Sequence, residues 1–140
     1  MINKALSQYG IREIQGPIAN NPEIIKYFAS VGCIWVKTDE TAWCSTFVNW
    51  VAKESGYEYT RKLNARSWLK VGEPIEHFQK VGDVVILWRV SKNDWRGHVG
   101  FFINEDEDYI WILGGNQSNQ VCIKPYPKSR LLGYRRLRKI

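Results

Sequence analysis

A chain of 140 residues falls inside the usual ~100–200 residue span of one domain, so residues 1–140 are expected to form a single unit. With 44% hydrophobic and 24% charged residues, it has the apolar content for a core and not the composition of a disordered chain. The net charge of +6 equals the six basic residues Lys128, Arg130, Arg135, Arg136, Arg138 and Lys139 of a C-terminal stretch without acids, which argues against a basic nucleic-acid groove and for a solvated terminal face.

In chain order, the first third reads as helical. Residues 4–9 form a short candidate, and Asn21 followed by Pro22 gives the cap-then-proline start of a helix running through EIIKYFAS to Gly32. A third helix is predicted over CSTFVNWVAKESGY, where Phe47, Val48, Val51 and Ala52 recur at helical spacing and Gly56 supplies a stop. A short fourth helix is predicted over NARSWLK, with Asn64 as cap and Gly72 as terminator. After Gly82 the pattern changes to five short runs rich in β-branched and aromatic residues, DVVILWRV, HVGFFIN, YIWILGG, VCIKPY and LLGYRRL, separated by turn-forming segments. Helices first and strands after predict an α+β domain whose roughly five strands form an antiparallel meander.

The three cysteines, Cys33, Cys44 and Cys122, form neither a CxxC pair nor an even-numbered framework, so a zinc ribbon and a disulfide scaffold are not indicated, and no cofactor or metal is expected. The N-terminal MINKALSQYG lacks the apolar core of a secretory signal, and no run approaches the ~20 apolar residues of a membrane span. Synthesis in the cytoplasm without a signal peptide is the expectation, with any action outside depending on another export route or on lysis. Seven Trp is high for this length, and such residues line grooves as well as cores.

Cys44 stands at the predicted first turn of the third helix, where the positive end of the dipole and free backbone N–H groups lower a thiol pKa. His98 opens a predicted strand between Gly97 and Gly100, sterically open on both sides. A helix-borne thiol and a strand-borne imidazole are what nucleophilic acyl transfer needs, the histidine taking the thiol proton and returning it to the leaving amine. A third group should accept the other imidazole N–H; Asn116, at the tip of ILGGNQSN, is the choice, with Gln117 as rival. His77 has no such setting and reads as surface or packing.

The blocks TAWCSTFVNW, NARSWLKVG, VGDVVILWR, GHVGFF and LGGNQSN, followed by PYPKSRLLGYRR, resemble in order and spacing a bacterial and phage family of small proteins related to the NlpC-type and CHAP-type peptidases. The resemblance implies a papain-like fold, with a cysteine-bearing helix packed on an antiparallel sheet that carries histidine and a third polar residue. It also implies cleavage of an amide in the peptide part of peptidoglycan, as an endopeptidase or an N-acetylmuramoyl-L-alanine amidase. The family's blocks place the nucleophile on Cys44, the base on His98 and the third residue on Asn116, with Trp43, Trp68 and Gln117 expected at the substrate. The sequence departs from the Asp-Cys-Ser-Gly run of NlpC enzymes, with Trp43 before the cysteine and Thr46 where glycine is usual. Asp39, where papain has an amide side chain, cannot serve as oxyanion donor when ionised, which leaves the Cys44 backbone N–H as a candidate. The partners implied are a peptidoglycan stem peptide and, for a delivered antibacterial protein, an immunity or inhibitor protein; a phage endolysin component is the other setting. The competing reading is a non-catalytic module that holds a glycan or peptide on the same fold.

Overall fold

A computed structural model describes residues 1–14, 21–30, 32 and 43–140. Three α-helices come first: α1 (Ile2–Leu6), α2 (Pro22–Ala29) and α3 (Cys44–Glu54). The α2 start follows the cap-then-proline signal, since the Asn21 side chain accepts the Glu23 backbone N–H at 2.9 Å. The predicted fourth helix is a 3-10 helix, η1 (Ala65–Lys70), and Asn64 makes no side-chain cap to it. Gly72 ends this segment at φ +73°, where a Cβ would meet the Arg136 carbonyl oxygen at 2.7 Å.

The remaining strands are β1 (Glu73–Ile75), β2 (Val84–Trp88), β3 (Gly97–Glu105), β4 (Tyr109–Gln117), β5 (Gln120–Pro127) and β6 (Leu131–Arg136), with a short 3-10 turn η2 (Lys128–Arg130) before the last. They form one six-stranded antiparallel sheet in the order β1-β6-β2-β3-β4-β5. The expected meander therefore holds only from β2 to β5. β6 returns to the other side of β2, and β1 adds a sixth strand on its far edge. β1 escaped the sequence pattern because it is three residues long, mostly exposed and contains Pro74, which an edge strand tolerates.

α3 is buried at every residue from Cys44 to Ala52. One face meets the sheet through Phe47, whose ring packs edge-on to Phe101 at 6.4 Å. Another meets α2, where the Tyr27 ring lies 5.4 Å from Phe47 and 5.2 Å from Trp50. Its polar side is absorbed by the following loop: Asn49 Oδ1 accepts the backbone N–H groups of Thr60 and Arg61 at 2.9 and 2.8 Å, while Ser45 Oγ donates to the Lys62 carbonyl at 2.7 Å. A helix clamped on three sides cannot tilt, and that fixes the place of its first residue, Cys44. A second, smaller apolar cluster of Val85, Leu87, Phe102, Ile110, Ile112 and Tyr134 covers part of the opposite sheet face.

The C-terminal charges are not all solvated, as the sequence had suggested. Arg136 grips the buried Asp83 carboxylate through Nε and Nη2 at 2.9 and 2.8 Å, and Arg130 lies over the Trp88 ring at 5.7 Å. Among the described residues no helix is long and apolar enough to cross a membrane.

Candidate active site

Cys44 is the first residue of α3, and no side chain caps the helix there, so first-turn N–H groups are left for other acceptors. The thiol is 6% exposed. Its burial raises the pKa above the ordinary thiol value, while the backbone N–H of Val99, the charge of Arg89 and the N–H groups of Ser45 and Cys44 pull downward without prevailing. The sequence pointed to a thiol made acidic by the helix end; that force is present, but desolvation exceeds it. Cys44 shares a buried apolar cluster with Val99, the β3 residue that follows His98.

His98 is also 6% exposed, and its ring stacks on Tyr126 at 5.0 Å with 29° between planes. Its Nε2 lies 2.8 Å from Gln117 Oε1. The orientation of the Gln117 amide is set by two further bonds, because its Nε2 donates to the carbonyls of Cys122 at 2.7 Å and Ile112 at 3.1 Å. Oε1 can then only accept, so the imidazole carries its proton on Nε2 and presents a bare Nδ1. Burial drives the His98 pKa down to about 4; the Gln117 bond opposes this, and Arg89 and Lys124 add to it. Both members of the couple are thus neutral at rest.

The partner of the imidazole is Gln117, where Asn116 had been expected. The pairs Phe101 with Leu113 and Phe102 with Ile112 would, if continued without interruption, set Asn116 across from His98. The β4–β5 register shifts between Gly114 and Gln117, and Asn116 enters the left-handed region at φ +58°. This irregularity carries Gln117 to the position regular alternation would give to Asn116. The two glycines near the end of β4 have separate tasks. A Cβ on Gly114 would meet Gln117 Oε1 at 2.5 Å and His98 Nε2 at 3.4 Å, and one on Gly115 would strike the Trp43 ring at 2.6 Å.

Trp43 and Trp68 are corrected as well. Expected at the substrate, both are fully buried. Trp43 Nε1 donates to Glu13 at 2.7 Å, and Trp68 Nε1 donates to Ser45 Oγ at 3.0 Å, so both brace the start of α3 from inside. Gln117, the third residue assigned to substrate, is 1% exposed and serves the imidazole instead. Cys33 and Asp39 lie outside the described residues. Among the described residues, no hydrogen bond links the Cys44 thiol to the His98 ring, and no group of three His, Cys, Asp or Glu is placed to hold a metal ion.

A cavity of about 320 Å³ opens over the His98–Gln117 pair, with Asn116, Tyr126, Trp88 and the cations Arg89, Lys124 and Arg130 among its lining residues. Sequence reasoning missed Tyr126 and the three cations. Tyr126 fell inside the predicted VCIKPY strand, but nothing local marked it as facing the site, and the excess charge had been assigned wholly to the terminal stretch.

Residues 36–116, more than half of the chain, match the model of the CHAP domain family. The chain belongs to the CHAP family. CHAP domains are typically peptidoglycan hydrolases of the cysteine or amidase type, which places the chain in a family of cell-wall hydrolases. Its fold is shared with the crystal structure of a lipoprotein-like protein of the NLP/P60 family from Staphylococcus aureus, at TM-score 0.54 and 16% identity over 96% of this chain. This CHAP domain spans only 39% of that protein's length. No curated protein matches the sequence.

Proposed function

We propose that this CHAP domain hydrolyses an amide bond in the peptide part of peptidoglycan, with Cys44 as nucleophile, His98 as general acid and base, and Gln117 as the residue that positions the imidazole. The observation that carries the reading is the buried imidazole bonded through Nε2 to Gln117, on the strand whose next residue, Val99, shares a buried cluster with the helix-terminal Cys44. With Nε2 occupied, Nδ1 is the nitrogen available for the thiol proton.

The steps follow from that tautomer. As Cys44 Sγ attacks the amide carbon, its proton passes to His98 Nδ1. The first-turn N–H groups of α3 face the developing oxyanion, with the Cys44 N–H as the first donor. Collapse of the tetrahedral species breaks the C–N bond, and the imidazolium returns the proton to the leaving amine. Water then attacks the thioester as His98 takes its proton, and the free carboxylate and the thiol are regenerated. Because the couple starts neutral, proton transfer accompanies attack instead of preceding it. Gln117 supplies no charge to the imidazolium; its contribution is the fixed ring orientation.

Delivery as a phage lysin component or as an antibacterial effector, the latter with an immunity partner, suits such a domain. The test is mass spectrometry of muropeptides after incubation with the protein. Fragments with one new amine and one new carboxylate support the reading and identify the bond, whereas intact stem peptides in the presence of folded protein would reject it.

A further inference from the structure

The cavity over the His98–Gln117 pair has a one-sided charge. Arg89, Lys124 and Arg130 line it, and among the described residues no aspartate or glutamate does. Four cations among the described residues form ion pairs, none of them lining this cavity: Arg136 with Asp83, Arg96 with Asp94, Lys128 with Glu105 and Lys26 with Glu23. The Arg89 guanidinium donates to no protein group among the described residues, and its field reaches both the thiol and the imidazole. Among the described residues Lys124 has only the Ser118 hydroxyl, at 3.4 Å, and Arg130 is held over the Trp88 ring with no carboxylate partner. Three like charges lining one concavity repel one another, and two of them, Arg89 and Lys124, disfavour the imidazolium that catalysis must form. Such an arrangement is compensated when an anion enters.

We infer that this cavity is a subsite for a free carboxylate of the stem peptide, carried on a residue beside the scissile amide and held by Arg89, Lys124 and Arg130. The inference rests on the peptidoglycan reading for the identity of the substrate, but not for the presence of the subsite. Two features favour an anion on the substrate itself over an independent polyanion. The concavity includes the His98 imidazole among its lining residues, so whatever fills it lies against the general acid and base of the proposed reaction. Its volume of about 320 Å³ accommodates one or two amino-acid residues and not a polymer segment. The domain would therefore distinguish stem peptides whose α-carboxylates are free from those in which they are amidated.

The test uses paired synthetic stem peptides identical except that the carboxylate beside the scissile bond is free in one and a carboxamide in the other. Affinity is measured by calorimetry on Cys44→Ala, which cannot turn over, and kcat/KM on the wild type. The free acid should bind Cys44→Ala at least about tenfold more tightly, as expected for a charge-assisted contact. Arg89→Gln and Lys124→Gln, both at exposed positions, should each reduce that preference, and the double variant should abolish it. Equal affinity for the two peptides overturns the subsite, whether or not either is hydrolysed. A preference for the acid that survives in the double variant also overturns it. A preference for the acid without hydrolysis by the wild type would keep the subsite and reject the hydrolase reading, so the two failures are distinguishable.

Discussion

Replacing Gln117 by alanine removes three hydrogen bonds at once: the acceptor at 2.8 Å from His98 Nε2 and the donors to the Ile112 and Cys122 carbonyls at 3.1 and 2.7 Å. At ~1 kcal/mol net for each bond, the loss comes to about 3 kcal/mol of stability, or a fall of roughly 10 °C in Tm for a domain of this size. The freed imidazole can rotate or exchange its tautomer, so kcat should fall on the order of 10²-fold even at temperatures where the variant is fully folded. A purely structural role would give the stability loss alone. Gln117→Glu separates the two: its carboxylate accepts the imidazole N–H and favours the imidazolium, but cannot donate to the two carbonyls. Stability should therefore fall in this variant too, while the acid limb of kcat/KM moves to higher pH. Melting curves, steady-state rates and pH profiles of Gln117→Ala, Gln117→Glu and Asn116→Ala decide the matter. A near wild-type rate in Gln117→Ala beside a crippled Asn116→Ala would refute the assignment of Gln117.

The remaining expectations concern the groups around that pair. Gly114→Ala should impair turnover as severely as loss of Gln117, because its Cβ would fall 2.5 Å from Oε1; a wild-type kcat in this variant would show that the pair has slack. His98, with its pKa driven down to about 4 by burial, binds fewer protons folded than unfolded. Its contribution to stability is therefore complete above the ordinary value of ~6.5 and is lost as pH falls toward the folded value, by roughly 3 kcal/mol in all. Denaturant titrations of wild type and His98→Gln across that window should diverge, and parallel curves would contradict the burial argument. Because burial raises the Cys44 pKa, alkylation of Cys44 in the free enzyme should climb through the alkaline range, whereas a plateau reached by neutral pH would mean a preformed ion pair.

Much of this architecture was legible because local chemistry and tertiary packing agree. The Asn21–Pro22 start, the apolar spacing of α3 and the β-branched runs after Gly82 each express a backbone preference that the fold does not override. Cys44 and His98 could be chosen because helix starts and glycine-flanked strand residues are local features. Gln117 could be named only as the rival of Asn116, since one irregular step near Gly115 and Asn116 inverts the side-chain order, and such a bulge depends on what the strand must avoid, here the His98–Gln117 pair and the Trp43 ring. The roles of Trp43 and Trp68 were hidden for a related reason. A tryptophan beside a nucleophile looks the same in sequence whether it faces the groove or, as here, donates its N–H to Glu13 or Ser45 inside the fold. The cations of the cavity come from the residue after β2, from β5 and from η2, which only the sheet order brings together.

The central claim is that Cys44 forms a covalent bond to the peptide carbonyl of the substrate, and acid-quenched single-turnover digestion followed by peptide mapping tests it most directly. The mechanism predicts a transient acyl adduct on the peptide that contains Cys44, absent from Cys44→Ala and accumulating when deacylation is slowed. An adduct on any other residue, or wild-type turnover by Cys44→Ala, would contradict it.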